Sequence, residues 1–260
     1  MLSSFLPAIA ALAGLIFGSF LNVVIGRLPE GGSVVTPPSR CPSCGHRLRP
    51  WENVPVVSWL ILRGRCSACK NPISSRYILV ELATGALFAL AAAEFGPTLQ
   101  TVAACALSAF AVVTLFVDID HLLILDSVTV PAALVALVVA IATGRTVDAL
   151  EGAAVGIVLF GVIYIATRGG GLGFGDVKLA GCLGLFLGLA GSIAAFAAAF
   201  IIGAILALPV LATRKRRAKD VLPLGPFLVL GSLVVTFTPA LVFGPYDAYQ
   251  WFLYRHLGGS

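Results

Sequence analysis

The sequence predicts an all-α polytopic membrane protein of about eight transmembrane helices with one small polar loop domain. Three observations carry this. Of the residues, 59% are hydrophobic and only 11% charged, with a mean hydropathy of +1.01, where a soluble domain carries roughly 25% charged residues. Apolar runs near the length needed to cross a bilayer follow one another along the chain. A single long polar segment interrupts them, between residues 27 and 76.

The first apolar run extends from about Phe5 to Ile25. It lacks a basic n-region and ends in FLNVVIGRLP with no small-residue cleavage site, so it reads as a retained helix and not as a signal peptide. The next spans fall at about 77–94, 100–117, 127–143, 149–167, 177–190, 192–212 and 226–243. The stretch 177–212 also allows one span plus a re-entrant piece. The implied division is a first helix (1–26), a loop domain (27–76), a seven-helix membrane core (77–244) and a short non-cytoplasmic tail (245–260). No internal repeat is evident.

Charge sets the expected orientation. Eight spans with the N-terminus outside put the loops 27–76, 118–126, 168–178 and 213–220 on the cytoplasmic side, and these hold 15 of the 17 basic residues. Only Arg145 and Arg255 fall outside. Such asymmetry is the positive-inside pattern. The net charge of +5 therefore speaks for anionic lipid and not for nucleic acid.

The polar segment reads CPSCGHRLRPWENVPVVSWLILRGRCSACK. Cys41 and Cys44 form one CxxC and Cys66 and Cys69 a second, the spacing of a ribbon-like structural zinc site with four thiolate ligands. A closed shell of four thiolates leaves no open position, so such an ion holds the loop's shape and does no hydrolysis. Free thiols or two disulfides are the other readings, and an inside location disfavours disulfides. His46 is an alternative ligand, though four cysteines suffice. Cys105 and Cys182 lie in apolar spans and read as small core side chains.

Acids cluster at the inside ends of two spans. Asp118, Asp120 and Asp126 lie in LFVDIDHLLILD, and Asp176 follows the loop GGGLGFGD. A carboxylate at membrane depth is costly and marks a functional candidate. Two facing carboxyl groups can share one proton, one activating water while the other protonates a leaving group. Glycines at 169–171, 173 and 175 leave backbone bare enough for an extended peptide to approach Asp176. The alternative for Asp176 is a first-turn acid favoured by the helix dipole. Intramembrane acids also occur in proton-coupled transporters, the rival reading for the whole chain. Acids side by side at one face would favour a protease, and acids strung along a route would favour transport.

Several stretches in order resemble the type IV prepilin leader peptidases, a GxGD-type aspartyl protease family: GLIFGSFLNVVIGRLP at 14–29, the paired CxxC loop, WENVPVVSWLILRGRC at 51–66, PISSRYILVELATG at 72–85, FVDIDHLLILD at 116–126, GLGFGDVKL at 171–179 and LPLGPFLVLG at 222–231. Leu125 and Ile78 stand where the family often has proline. The resemblance implies an eight-span fold opening to the cytoplasm, in the bacterial inner membrane. It implies cleavage of a short basic leader from prepilins or type II secretion pseudopilins that reach the site from the membrane, with Asp118 and Asp176 as the catalytic pair and Asp120 and Asp126 as motif neighbours. It further implies N-methylation of the new terminal residue from S-adenosylmethionine. No glycine loop of dinucleotide-binding type is present to hold that cofactor. Asn22, Glu52 and Glu81 are polar at the inside face, with loop-surface, interfacial or interhelical roles equally open to them.

Overall fold

The computed structural model describes residues 2–212 and 224–238, with side chains described for 5–206 and 224–238. The basic run 213–220, the expected tail 245–260 and the end of the last expected span lie outside them. The chain forms two compact units, Met1–Thr101 and the part from Val102 onward.

In the first unit, α1 (Leu2–Arg27) packs along α3 (Arg76–Phe95). Apolar side chains gain little by leaving lipid for one another, so small residues and close backbones drive such pairing. The glycines of GLIFG supply this. A Cβ at Gly14 would stand 2.7 Å from Thr84 O, and one at Gly18 2.7 Å from the Cα of Glu81. Asn22 adds an interhelical bond, its Nδ2 donating to Tyr77 O at 3.0 Å. Between these helices the chain makes two 3₁₀ turns, Leu28–Glu30 and Pro50–Asn53, and the short α2 (Val57–Ile61).

The second unit contains most of α4 (Leu99–His121), then α5 (Asp126–Ala142), α6 (Thr146–Ala166), α7 (Phe174–Ala212) and α8 (Gly225–Phe237). Its core gathers Leu107, Phe110, Phe160, Leu179, Leu183, Phe196 and Leu228, all nearly inaccessible. The buried Cys182 belongs to it, as its apolar setting predicts.

Helix α7 is two helices joined at Gly188, whose φ of 72° and ψ of −174° are non-helical. Its neighbours on α6 give the path. A Cβ at Gly152 would meet the carbonyl carbon of Gly188 at 2.6 Å, and one at Gly156 would meet Ala180 O at 2.5 Å. Phe160, two turns further along α6, packs edge-on to Phe196 at 5.1 Å and stacks on Phe200 at 5.9 Å. Residues before and after the break therefore both run back along α6 from the same point, so the chain reverses at Gly188. Asp148 fixes the turn: its Oδ1 accepts the Leu189 N–H at 3.0 Å and its Oδ2 the Arg145 guanidinium at 2.6 Å.

Leaving aside the five-residue α2 and counting the halves of α7 separately, the described residues contain eight apolar helices, which fall where the spans are expected to within a few residues. Separate helices stand where the spans 177–190 and 192–212 are expected, on either side of Gly188. By length and composition, α1, α3, α4, α6 and α7 taken across its break are each long enough to cross a membrane, while α5 and α8 are shorter.

Candidate active site and metal-binding loop

Asp118 and Asp176 come together in the second unit. Asp118 lies in the last turn of α4, 5% exposed, and its Oδ2 has no hydrogen-bond partner among the described residues. Asp176 opens α7, and the two carboxyl groups are near enough for their charges to interact. The link between α4 and α5 explains the approach. Leu122 turns the chain with φ +54°, and Ile124 then inserts between the two motifs. A Cβ on Gly175 would touch the Ile124 side chain at 3.0 Å, and one on Gly225 would stand 3.3 Å from Ile124 Cδ1 and 2.5 Å from Asp118 Oδ2. Ile124 thus packs against the glycine that precedes Asp176 and against the start of α8, which closes over Asp118.

The glycine loop is exposed at 169–171 and 173–174, while Gly175 is half-buried and Leu172 is buried as its anchor. Both open readings of Asp176 have a counterpart here. Its Oδ2 accepts the Gly173 N–H at 3.0 Å while its own N–H returns to Gly173 O at 3.1 Å. That is a helix-start turn, and it also holds the carboxyl beside exposed backbone. Asp126 lies apart from the pair, its Oδ1 bound to Lys178 Nζ at 2.5 Å. Asp120 is exposed on the outer side of α4's last turn.

In the first unit the four cysteine sulfurs lie within 4.8 Å of one another. Cys41 Sγ and Cys69 Sγ are 3.8 Å apart and Cys44 Sγ and Cys66 Sγ 4.0 Å. Four sulfurs about 2.3 Å from a tetrahedral zinc stand about 3.8 Å from each other, so the donor set fits that ion. The two halves are one structure used twice. Cys41 N–H donates to His46 O and Gly45 N–H to Cys41 O, while Cys66 N–H donates to Asn71 O and Lys70 N–H to Cys66 O. Sequence reading missed this local repeat, because the halves share only their cysteines, the arginine before each pair (Arg40 and Arg65) and a left-handed residue at Gly45 and Lys70 (φ +72° and +61°). Backbone N–H groups of Cys44 and Ser43 hold the Cys41 thiol down to about 6. Those of Cys69 and Ala68 lower Cys66 likewise. Both favour thiolate, the form that binds metal.

His46 is no ligand in this cluster. Its Nε2 meets Glu52 Oε2 at 3.2 Å and Ser67 Oγ at 3.4 Å. The Arg49 N–H, 2.6 Å from Glu52 Oε2, leads the contacts that hold the Glu52 carboxyl down to about 2. Beside this loop a cavity of about 540 Å³ opens within the first unit, and Asn22, Glu52, Trp59, Tyr77 and Glu81 are among its walls.

Comparison with known proteins identifies the family. Residues 12–95 match the bacterial peptidase A24 N-terminal domain and residues 105–208 the type IV leader peptidase family. The chain is similar to proteins named prepilin leader peptidase/N-methyltransferase. It is 35% identical to that of Stutzerimonas stutzeri over 86% of this chain and 88% of the relative. It is 36% identical to that of Burkholderia pseudomallei K96243 over 88% and 84%. With that of Myxococcus xanthus DK1622 the identity is 47% over 67% of this chain, which spans only 54% of that longer protein. No solved structure matches the chain significantly. With its two domains in family order and full-length relatives at this identity, the chain belongs to the type IV leader peptidase family.

Proposed function

We propose that the protein cleaves the leader of type IV prepilins or type II secretion pseudopilins at the cytoplasmic face of the bacterial inner membrane, and then N-methylates the new terminus. The observation that carries the peptidase half is the approach of Asp118 to Asp176, from motifs far apart in the chain, beside a bare glycine loop. Adjacent acids at one end of the helices favour this over a transporter, whose acids would be spread along a route.

Two close carboxyl groups share one proton. The charged member takes a proton from water as its oxygen attacks the scissile carbonyl carbon. The protonated member first polarises the carbonyl oxygen, and a proton then passes to the departing amine as the C–N bond breaks. The loop 169–175 offers exposed backbone along which the leader can extend. The hydrophobic segment of the substrate stays in lipid throughout.

Zinc, held by Cys41, Cys44, Cys66 and Cys69, would have a closed shell and serve only to fold the loop. S-Adenosylmethionine supplies an electrophilic methyl group on a sulfonium when bound, and the relatives' names support its use here. Co-expression with a prepilin, followed by mass analysis of the product's N-terminus, tests both halves. Asp118→Asn and Asp176→Asn should each abolish leader loss while insertion and zinc content persist. Near-normal cleavage by either variant refutes the dyad.

A further inference from the structure

We propose that α2 and the 3₁₀ turn before it anchor the metal-binding loop to the membrane surface, with the exposed apolar face of α2 seated among the headgroups of an anionic phospholipid leaflet. The inference is independent of both catalytic halves of the proposed function.

Between Trp51 and Ile61 the side chains of Trp51, Val54, Val57, Leu60 and Ile61 are large, apolar and exposed, Leu60 at 58% and Ile61 at 69%. Single exposed apolar residues are ordinary, but a cluster this dense marks an interaction surface. Within α2, positions 57, 60 and 61 share one face by helical spacing, and Trp59 falls opposite them. Trp59 is the inward anchor: a Cβ on Gly64 would stand 2.8 Å from its Cζ2. Val56 before the helix and Arg63 after it both hold positive φ, +61° and +52°. Such residues avoid that conformation and keep it only where the surroundings enforce it. The apolar face is thus held outward by a fixed frame.

Depth identifies the occupant. The Val56 N–H donates to Glu81 Oε2 at 2.7 Å. Glu81 belongs to α3, which starts at Arg76 and is long and apolar enough to span a membrane. The five residues from Arg76 to Glu81 advance the helix about 7.5 Å. The bond therefore pins the start of α2 beside the first turns of a spanning helix. Interfacial helices bury their apolar faces about 5–10 Å into the boundary between headgroups and acyl chains, which is the same level.

Charge agrees with depth. Arg47, Arg49, Arg63, Arg65 and Lys70 are exposed in this loop. The one acid between residues 41 and 75 is Glu52, which is buried and bound by the Arg49 N–H and His46. An apolar face flanked by basic side chains fits phosphate headgroups, which their long stems can reach. A second copy of the chain would bring the same positive surface against this one, and like charges would oppose it.

The test uses the full-length, zinc-loaded enzyme in nanodiscs of phosphatidylcholine, with or without phosphatidylglycerol. A benzoylphenylalanine photoprobe in place of Ile61 should yield chiefly a phospholipid adduct on irradiation, read as a mass increment on the peptide that carries the probe. Phosphatidylglycerol should raise that yield by about fivefold or more, because each basic residue near the surface adds to the attraction. Arg63→Gln together with Arg65→Gln should remove most of the gain. A cross-link to residues beyond 102 of the same chain, a covalent dimer, or no adduct overturns the proposal. A yield unchanged by phosphatidylglycerol does so too. Zinc content verifies the folded loop. Should the probe-bearing protein lose zinc, labelling of the wild-type enzyme with a photoactivatable phosphatidylglycerol decides instead. Label within residues 51–61 supports the anchor, and label on α1 and α3 with none in that stretch refutes it.

Discussion

Asp126 and Lys178 are 52 residues apart in sequence, yet Oδ1 and Nζ meet at 2.5 Å and join the first turn of α5 to the first turn of α7. Lys178 Nζ also stands 5.5 Å from the centre of the Phe174 ring. The pair ties together the two motifs that carry Asp118 and Asp176. Both side chains are well exposed, at 36% and 62%, so water and salt screen the attraction to about 1 kcal/mol or less. Asp126→Asn and Lys178→Met should each slow leader cleavage by no more than about fivefold, with smaller effects at high salt. A double-mutant cycle on the cleavage rate checks the coupling.

Gly225 should be intolerant of any side chain. A methyl group there would stand 2.5 Å from Asp118 Oδ2 and push the carboxyl off its position. Misplacement by an ångström near reacting atoms costs about a hundredfold in rate. Gly225→Ala should therefore lose at least about that much cleavage while zinc content, which depends on the cysteines of the other unit, remains. Single-turnover cleavage alongside zinc analysis measures both.

The two metal knuckles give a matched pair of substitutions. Gly45 and Lys70 hold the same left-handed position, and nothing lies within 4 Å of a Cβ on Gly45. The left-handed conformation costs a non-glycine residue about 1–2 kcal/mol. Lys70→Gly should then tighten zinc retention by about fivefold or more, and Gly45→Ala should loosen it by a similar factor. Competition with a chromophoric chelator reads both.

Acid should weaken the loop through Glu52 in a defined window. Its carboxyl is held at about 2 in the folded loop against an ordinary value near 4.5. A depressed folded value means the stabilisation is complete above about pH 4.5 and disappears as pH falls toward 2. The stability difference between wild type and Glu52→Gln should thus be constant above that window and vanish at its acid end. Denaturant titrations of both proteins across the range measure it. The difference between them cancels proton uptake by the cysteines.

Local signals in the sequence reached far into this fold. Apolar runs located the eight segments because lipid imposes a length and polarity on any span. The doubled CxxC and the paired acids were visible because metal and proton chemistry restrict residue type and spacing. What stayed hidden depends on neighbours distant in sequence. Ile124 looks like any apolar loop residue until Gly175 and Gly225 are found against it. The pairing of Lys178 with Asp126 needs the register of two helices. Glycines crowd the middle of α7 at 184, 188 and 191, and nothing local says which breaks the helix. Asp148 decides, because only at 188 does a carboxylate from α6 stand ready to take the next N–H.

That break also sets where the chain goes next. Unbroken, the 39 residues of α7 would form a rod about 58 Å long, nearly twice the thickness of a bilayer's hydrocarbon core. The residues after it would emerge on the far side. Folding back at Gly188 instead returns the chain toward the end of the unit from which α7 began. The start of α8 then returns to the same end of the unit as Asp118, where Gly225 is found. One backbone conformation near one end of the unit thus governs the completeness of a site at the other.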